Sequence, residues 1–182
     1  TLTVADKTTL KGSTVYFYDD NDQADKYNGT DYRTITTNDL DASGTNELFM
    51  RTNANGAYGQ SAGNDKIVST NTAIGSGTYD ITVFDQGMRN GYNNAAGAAG
   101  KGHLNGDVKL IENADATGTY NIKEMQYDNG VWAYEYEGEA EVDAAGNLNL
   151  TSITTKAAVQ SSAQMAAQDA NKIAAGAAVT LF

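Results

Sequence analysis

The chain has 182 residues, 23 acidic against 12 basic for a net charge of -11, and neither cysteine nor proline. Without cysteine, disulfides, thiolate catalysis and Cys-based zinc sites are excluded together. The acid excess argues against nucleic acid and anionic membrane faces as partners, since both require a basic surface.

Gly, Asn and Asp recur every ten or so residues, the punctuation of many short strands joined by turns. Thr1 to Ala5 alternates as an edge strand would, and opens the chain as in a mature secreted protein with its leader removed or a piece cut from a longer one. Ser13 to Tyr18 is a dense β-branched and aromatic strand, and 19–27 is an acidic loop. Short strands are expected at Tyr32–Thr37 and Glu47–Arg51, with Asp39-Leu40-Asp41 and 53–65 as loops. Lys66-Ile67-Val68 is a short apolar stretch. Gly77 to Phe84 is a strand with Tyr79, Ile81 and Val83 on one face, because side chains alternate with period two. The glycine-dense stretch 87–102 reads as a mobile loop, and Asp107–Glu112 as a strand.

From Tyr120 to Ile153 the pattern is an antiparallel meander. Asp128-Asn129-Gly130 is a hairpin turn, since Asn and Gly tolerate the positive φ it needs. Trp132, Tyr134, Tyr136, Ala140 and Val142 share one face of the next strand, and Glu135, Glu137, Glu139 and Glu141 the other. After Thr155, the residues Val159, Ala163, Ala166, Ala170, Ile173 and Ala177 form a helical seam of small residues, with Thr154 or Thr155 as its cap and Gly176 as its stop. Such a helix packs on its own domain or docks a neighbouring subunit, and residues 177–182 resume a strand suited to pairing with another chain.

The expected fold is mainly β, an antiparallel sandwich of Ig-like or jelly-roll-like type, with a C-terminal helical or assembly segment. Its β domain covers 1–155, with a seam for subdivision near 87–112, and the Ala-rich helix and terminal strand cover 156–182. No stretch approaches the roughly 18 apolar residues of a membrane span.

Asp19, Asp20, Asn21, Asp22 and Asp25 gather oxygen ligands of the kind Ca²⁺ takes, although position six of a helix-loop-helix calcium loop begun at Asp20 is Asp25 rather than Gly. The row Glu135, Glu137, Glu139, Glu141 repels itself and needs solvent, cross-strand bases or a bridging cation. Asn28 and Asn149 begin N-x-[ST] sequons. The loop Gly97 to Gly102 lacks the spacing of a phosphate-binding loop. His103, the single histidine, has no nucleophile elbow to serve and reads as a surface residue. The eleven tyrosines, flanked by Asn, Asp and Gly, also suit stacking on sugars.

Gly12 to Tyr18 and Gly75 to Val83 resemble the N-terminal region of archaeal surface-layer glycoproteins of the haloarchaeal kind, the first as a phrase close to their mature start and the second as a strand-entry phrase of their Ig-like domains. That resemblance implies Ig-like domains in a glycosylated, cation-dependent lattice. The expectation is therefore a non-enzymatic, self-assembling extracellular or cell-surface protein, an S-layer or filament subunit stabilised by calcium and partnered by identical copies. A carbohydrate-binding or adhesive module is the alternative.

Overall fold

The computed structural model describes residues 1–22, 25–26, 30–74, 77–94, 96–114, 116–128 and 130–179, with no side-chain description at 72–74, 93–94, 159 and 171–179. The protein is mainly β, but its sheets are not those of an antiparallel sandwich. The chain winds as a coil, each turn contributing one strand to each of two sheets. The turns are β1 (Leu2–Lys11) with β2 (Thr14–Tyr16), β3 (Thr34–Ser43) with β4 (Thr45–Asn53), β6 (Lys66–Ile74) with β7 (Thr78–Asp85), and β8 (Val108–Glu112) with β9 (Thr119–Ile122). Strands β1, β3, β6 and β8 are parallel neighbours in one sheet, and β2, β4, β7 and β9 in the other. A two-residue strand, β5 (Gly63–Asn64), pairs antiparallel with β4.

The expected Ig-like or jelly-roll-like sandwich is thus corrected to a mixed, largely parallel, solenoid-like winding. Strand alternation states which face a residue occupies, but not the direction of the neighbouring strand. Consecutive strands here pass to opposite sheets instead of folding back as hairpins. The meander begins later than expected. Tyr120 lies in β9, parallel to β7, and β10 (Met125–Asp128), β11 (Trp132–Val142) and β12 (Leu148–Gln160) form the antiparallel extension, joined to the first sheet through β8.

One corner of the coil is tight and repeated. Thr45, Thr78 and Thr119 are in register, each preceded by glycine. Thr78 N–H donates to the Gly44 carbonyl at 2.8 Å, and Thr119 N–H to that of Gly77 at 3.1 Å. A Cβ on Gly77 would stand 3.0 Å from the Ala42 Cβ, so the turns approach as only glycine permits. Asn46, fully buried, ties three turns together. Its Oδ1 accepts from Ser13 N–H at 3.0 Å, and its Nδ2 donates to the carbonyls of Ser43 (3.3 Å) and Thr78 (3.5 Å). The sequence carries this repeat as Ser43-Gly44-Thr45, Ser76-Gly77-Thr78 and Thr117-Gly118-Thr119.

Leu40, Leu48, Met50, Ile67, Ile81, Val83, Leu110 and Leu150 fill one buried cluster shared by both sheets. The helix also starts later than the seam suggests. Thr155 to Gln160 continue β12, so neither Thr154 nor Thr155 is the cap. Ser161 is, accepting from Gln164 N–H at 3.2 Å while donating to the Gly130 carbonyl at 2.7 Å. Helix α1 (Ser162–Val179) leaves the body there. Ala163, Met165, Ala166, Ala167 and Ala170 are exposed rather than packed on the sheets. Among the described residues, no helix is long and apolar enough to cross a membrane.

Candidate functional site

The second corner carries the long connections between β2 and β3 (17–33), β4 and β6 (54–65) and β7 and β8 (86–107), whose described residues meet on one side of the coil. In solenoids such insertions collect on one face, and that face commonly binds. Two features hold these loops in place.

The first is Arg51, whose side chain is 2% exposed beside an Asp65 with none. Arg51 Nε and Nη2 donate to the two Asp65 oxygens at 2.9 and 3.1 Å. Nη1 donates to Asp25 Oδ1 at 2.7 Å, and further bonds reach the carbonyls of Phe17 and Asp31. The guanidinium lies 5.9 and 5.7 Å from the ring centroids of Tyr18 and Tyr32, a cation–π arrangement. Burial alone would lower its pKa, but Asp65 and Asp25 outweigh that and raise it.

The second is the stretch 86–107, its residues 87–102 expected as a mobile loop and its described residues closely packed. Met88 and Leu104 are fully buried, and a Cβ on Gly102 would meet the Ile153 carbonyl oxygen at 2.1 Å. His103, expected at the surface, stacks on Tyr92 with centroids 4.2 Å apart and 1° between planes. Its Nε2 is 2.7 Å from Thr155 Oγ1. Behind Tyr92 lies buried Asp85, accepting from the N–H groups of Ala54 and Gly87 at 3.0 Å each. Burial raises the Asp85 carboxyl and, aided by Asp85, raises the Tyr92 hydroxyl well above the usual phenol value. The hydroxyl is near enough to feel the carboxylate, yet it makes no hydrogen bond of good geometry.

These loops enclose a half-open cleft of about 280 Å³, whose walls include Asn55, Tyr58, Asn90, Tyr92, His103 and Asn105. Asn55 fixes the floor, its Nδ2 donating to the His103 carbonyl at 2.6 Å and its Oδ1 accepting from Asn105 N–H at 3.0 Å. Across Tyr58 a second cleft of about 530 Å³ is walled by Tyr32, Gln60 and Ser61. Tyr58 stands between them at a left-handed φ of 58°, 47% exposed, with the Arg89 guanidinium 4.5 Å over its ring. Nothing in the sequence marked these residues beyond the abundance of Tyr and Asn.

The residues singled out from the sequence are placed elsewhere. Asp25 turns inward to Arg51 and Arg33, which with Asp19 N–H hold its carboxyl below the usual range against the opposing effect of burial. Asp20 pairs with Lys26 at 2.9 Å. Asp19 accepts from Asn21 N–H, and Asp22 from Asp25 N–H. Among the described residues no three His, Asp or Glu side chains converge as a metal site. Glu137, Glu139 and Glu141 are exposed along β11 and Glu135 is half-buried. Lys156 stands nearby, its ammonium pKa raised by Glu124 first and by Glu137 and Glu135 after. Asn149 is 9% exposed, and its amide donates to Asp143 Oδ2 at 2.8 Å. Asn28 lies outside the described residues. Of the expected terminal strand 177–182, residues 177–179 instead continue the helix past Gly176, and 180–182 lie outside the described residues.

At the start of the coil, the first turn pairs with the second turn alone among the described residues. β1 and β2 each pair on one side alone, and between them lies an apolar recess of about 400 Å³ walled by Leu2, Val15, Tyr16, Phe17 and Ile35. Leu2 is 58% and Tyr16 47% exposed.

The fold defines a short β-solenoid with one tight and one elaborated corner. The sequence matches no known family model, and no curated protein matches it.

Proposed function

We propose that this protein is a structural, self-associating module of the extracellular or cell-surface kind, in which the open first turn of the coil pairs with the first turn of a second copy. The observation that carries this is the uncovered edge of β1 above an apolar recess. A row of unpaired backbone N–H and C=O groups is a template for another strand, and burying Leu2 and the recess adds apolar area. Two copies related by a twofold axis would run their β1 strands antiparallel, the commonest symmetry of homo-oligomers. Adjacent Asp6 and Lys7 near the middle of β1 would then face opposite charges. The opposite end of the same sheet is the four-residue β10, a much shorter edge. The exposed start of α1 offers a further surface for neighbours. Calcium is a proposed stabiliser, with the exposed row Glu137, Glu139, Glu141 as its candidate seat.

Light scattering over a range of concentrations, first in millimolar calcium and then in chelator, tests this. The expected result is a dimer or larger species in calcium, reduced in size by chelator. The double substitution Leu2→Glu with Tyr16→Glu is expected to give a monomer of native melting behaviour. A native protein that stays monomeric at every concentration in both buffers overturns the proposal.

A further inference from the structure

We propose that the two adjoining clefts on the long-loop face form one binding site for a neutral oligosaccharide laid across Tyr58. The walls supply what such a ligand needs. Tyr58 offers an aromatic surface that remains 47% exposed although Arg89 lies over its ring. On one side, the side-chain amide oxygen of Asn90, Oδ1, is buried at the smaller cleft with no hydrogen-bond partner among the described residues. On the other, the side-chain amide oxygen of Gln60, Oε1, is buried and equally unpartnered at the larger cleft.

A buried acceptor without a donor is costly, and two of them flanking one exposed ring suit a ligand whose several donors reach them directly or through water. Sugar hydroxyls are such donors, and the apolar face of a pyranose stacks on aromatic rings. Asn, Gln, Ser, Thr and Tyr side chains dominate the lining of both clefts, and the nearby Arg89 guanidinium lies over the Tyr58 ring, so the walls offer hydrogen bonds and stacking more than charge. A peptide would want apolar pockets for side chains, which these amide-rich walls do not provide. Together the clefts have room for more than one sugar ring, with Tyr58 between the subsites. The site does not involve the open first turn and stands independently of self-association.

The test is an NMR titration of the full chain with maltotriose, cellotriose and N,N′,N″-triacetylchitotriose, using a Gly/Ser-rich peptide as control. The expected result is saturable binding of at least one saccharide, with shifts at Tyr58, Asn90 and Asn105. Tyr58→Ala, a change at an exposed ring, is expected to weaken binding about tenfold or more, the loss of one stacking contact. Gln60→Leu should weaken trisaccharide binding while leaving the melting temperature unchanged, and the Leu2→Glu, Tyr16→Glu variant should bind as the native protein does. No binding of any of the three sugars, binding untouched by both Tyr58→Ala and Gln60→Leu, or binding of the peptide alone overturns the proposal.

Discussion

Arg51 and Asp65 meet as a doubly hydrogen-bonded ion pair, Nε to Oδ2 at 2.9 Å and Nη2 to Oδ1 at 3.1 Å, with both side chains all but inaccessible to water. Asp65 also accepts the backbone N–H groups of Arg33 and Arg51, each at 2.7 Å. One carboxylate thus joins β4 to the loop 17–33. Removing it with Asp65→Ala leaves a guanidinium buried with too little compensation, and a loss of about 3–5 kcal/mol is expected. Urea unfolding measures it. A loss below about 1 kcal/mol would show that water reaches Arg51 once Asp65 is gone.

Asn46 is the corresponding tie at the tight corner. Asn46→Ala orphans the Ser13 N–H and two carbonyl contacts, and is expected to cost about 1–3 kcal/mol. Asn46→Asp should cost more at neutral pH, because it aims a carboxylate at the carbonyls of Ser43 and Thr78. Part of that loss should return on acidification, when the protonated acid can donate. Thermal melts of both variants at neutral and acid pH check the order.

Asp143 organises the turn between β11 and β12. It accepts from the backbone N–H groups of Asn147 and Ala145, and from the amide of Asn149 at 2.8 Å. The Asn147 backbone bond first, then the Asn149 amide, bring its carboxyl down to about 2. A carboxyl lowered by folding adds stability above its unfolded value, near 4, and loses it as pH falls toward 2. Asp143→Ala should therefore shrink the acid-side loss of stability, read from denaturation midpoints at stepped pH. An unchanged acid limb would place the turn's stability elsewhere.

Gly102 has φ +61° and lies against Ile153 and Thr154. Gly102→Ala demands both a strained backbone and room that is not there, so a loss of more than about 1 kcal/mol is expected. Since His103 follows directly, its ring should also leave Thr155, visible as altered histidine NMR shifts. Gly106→Ala, with nothing near its Cβ position, is the control expected to leave both unchanged.

The sequence by itself determined most of the strands and where many of the chain's turns fall. Alternation placed Tyr79, Ile81 and Val83 inward, and Asp143–Asn147 marked the turn between β11 and β12, because period two and turn chemistry are local properties. Asp39-Leu40-Asp41 escaped as part of β3, since Asp is a poor strand former. There it sits outward, where Asn71 and Lys7 satisfy the two carboxylates. Tertiary structure alone decided that successive strands alternate between two parallel sheets. Parallel register depends on contacts between distant turns of the coil, and its one trace in the sequence was the recurring Gly-Thr at 44–45, 77–78 and 118–119. It also turned Asp25 from a candidate metal ligand into a partner of Arg51. The clefts beside Tyr58 exist because three loops of unrelated sequence stack on one corner, a juxtaposition that no local pattern encodes.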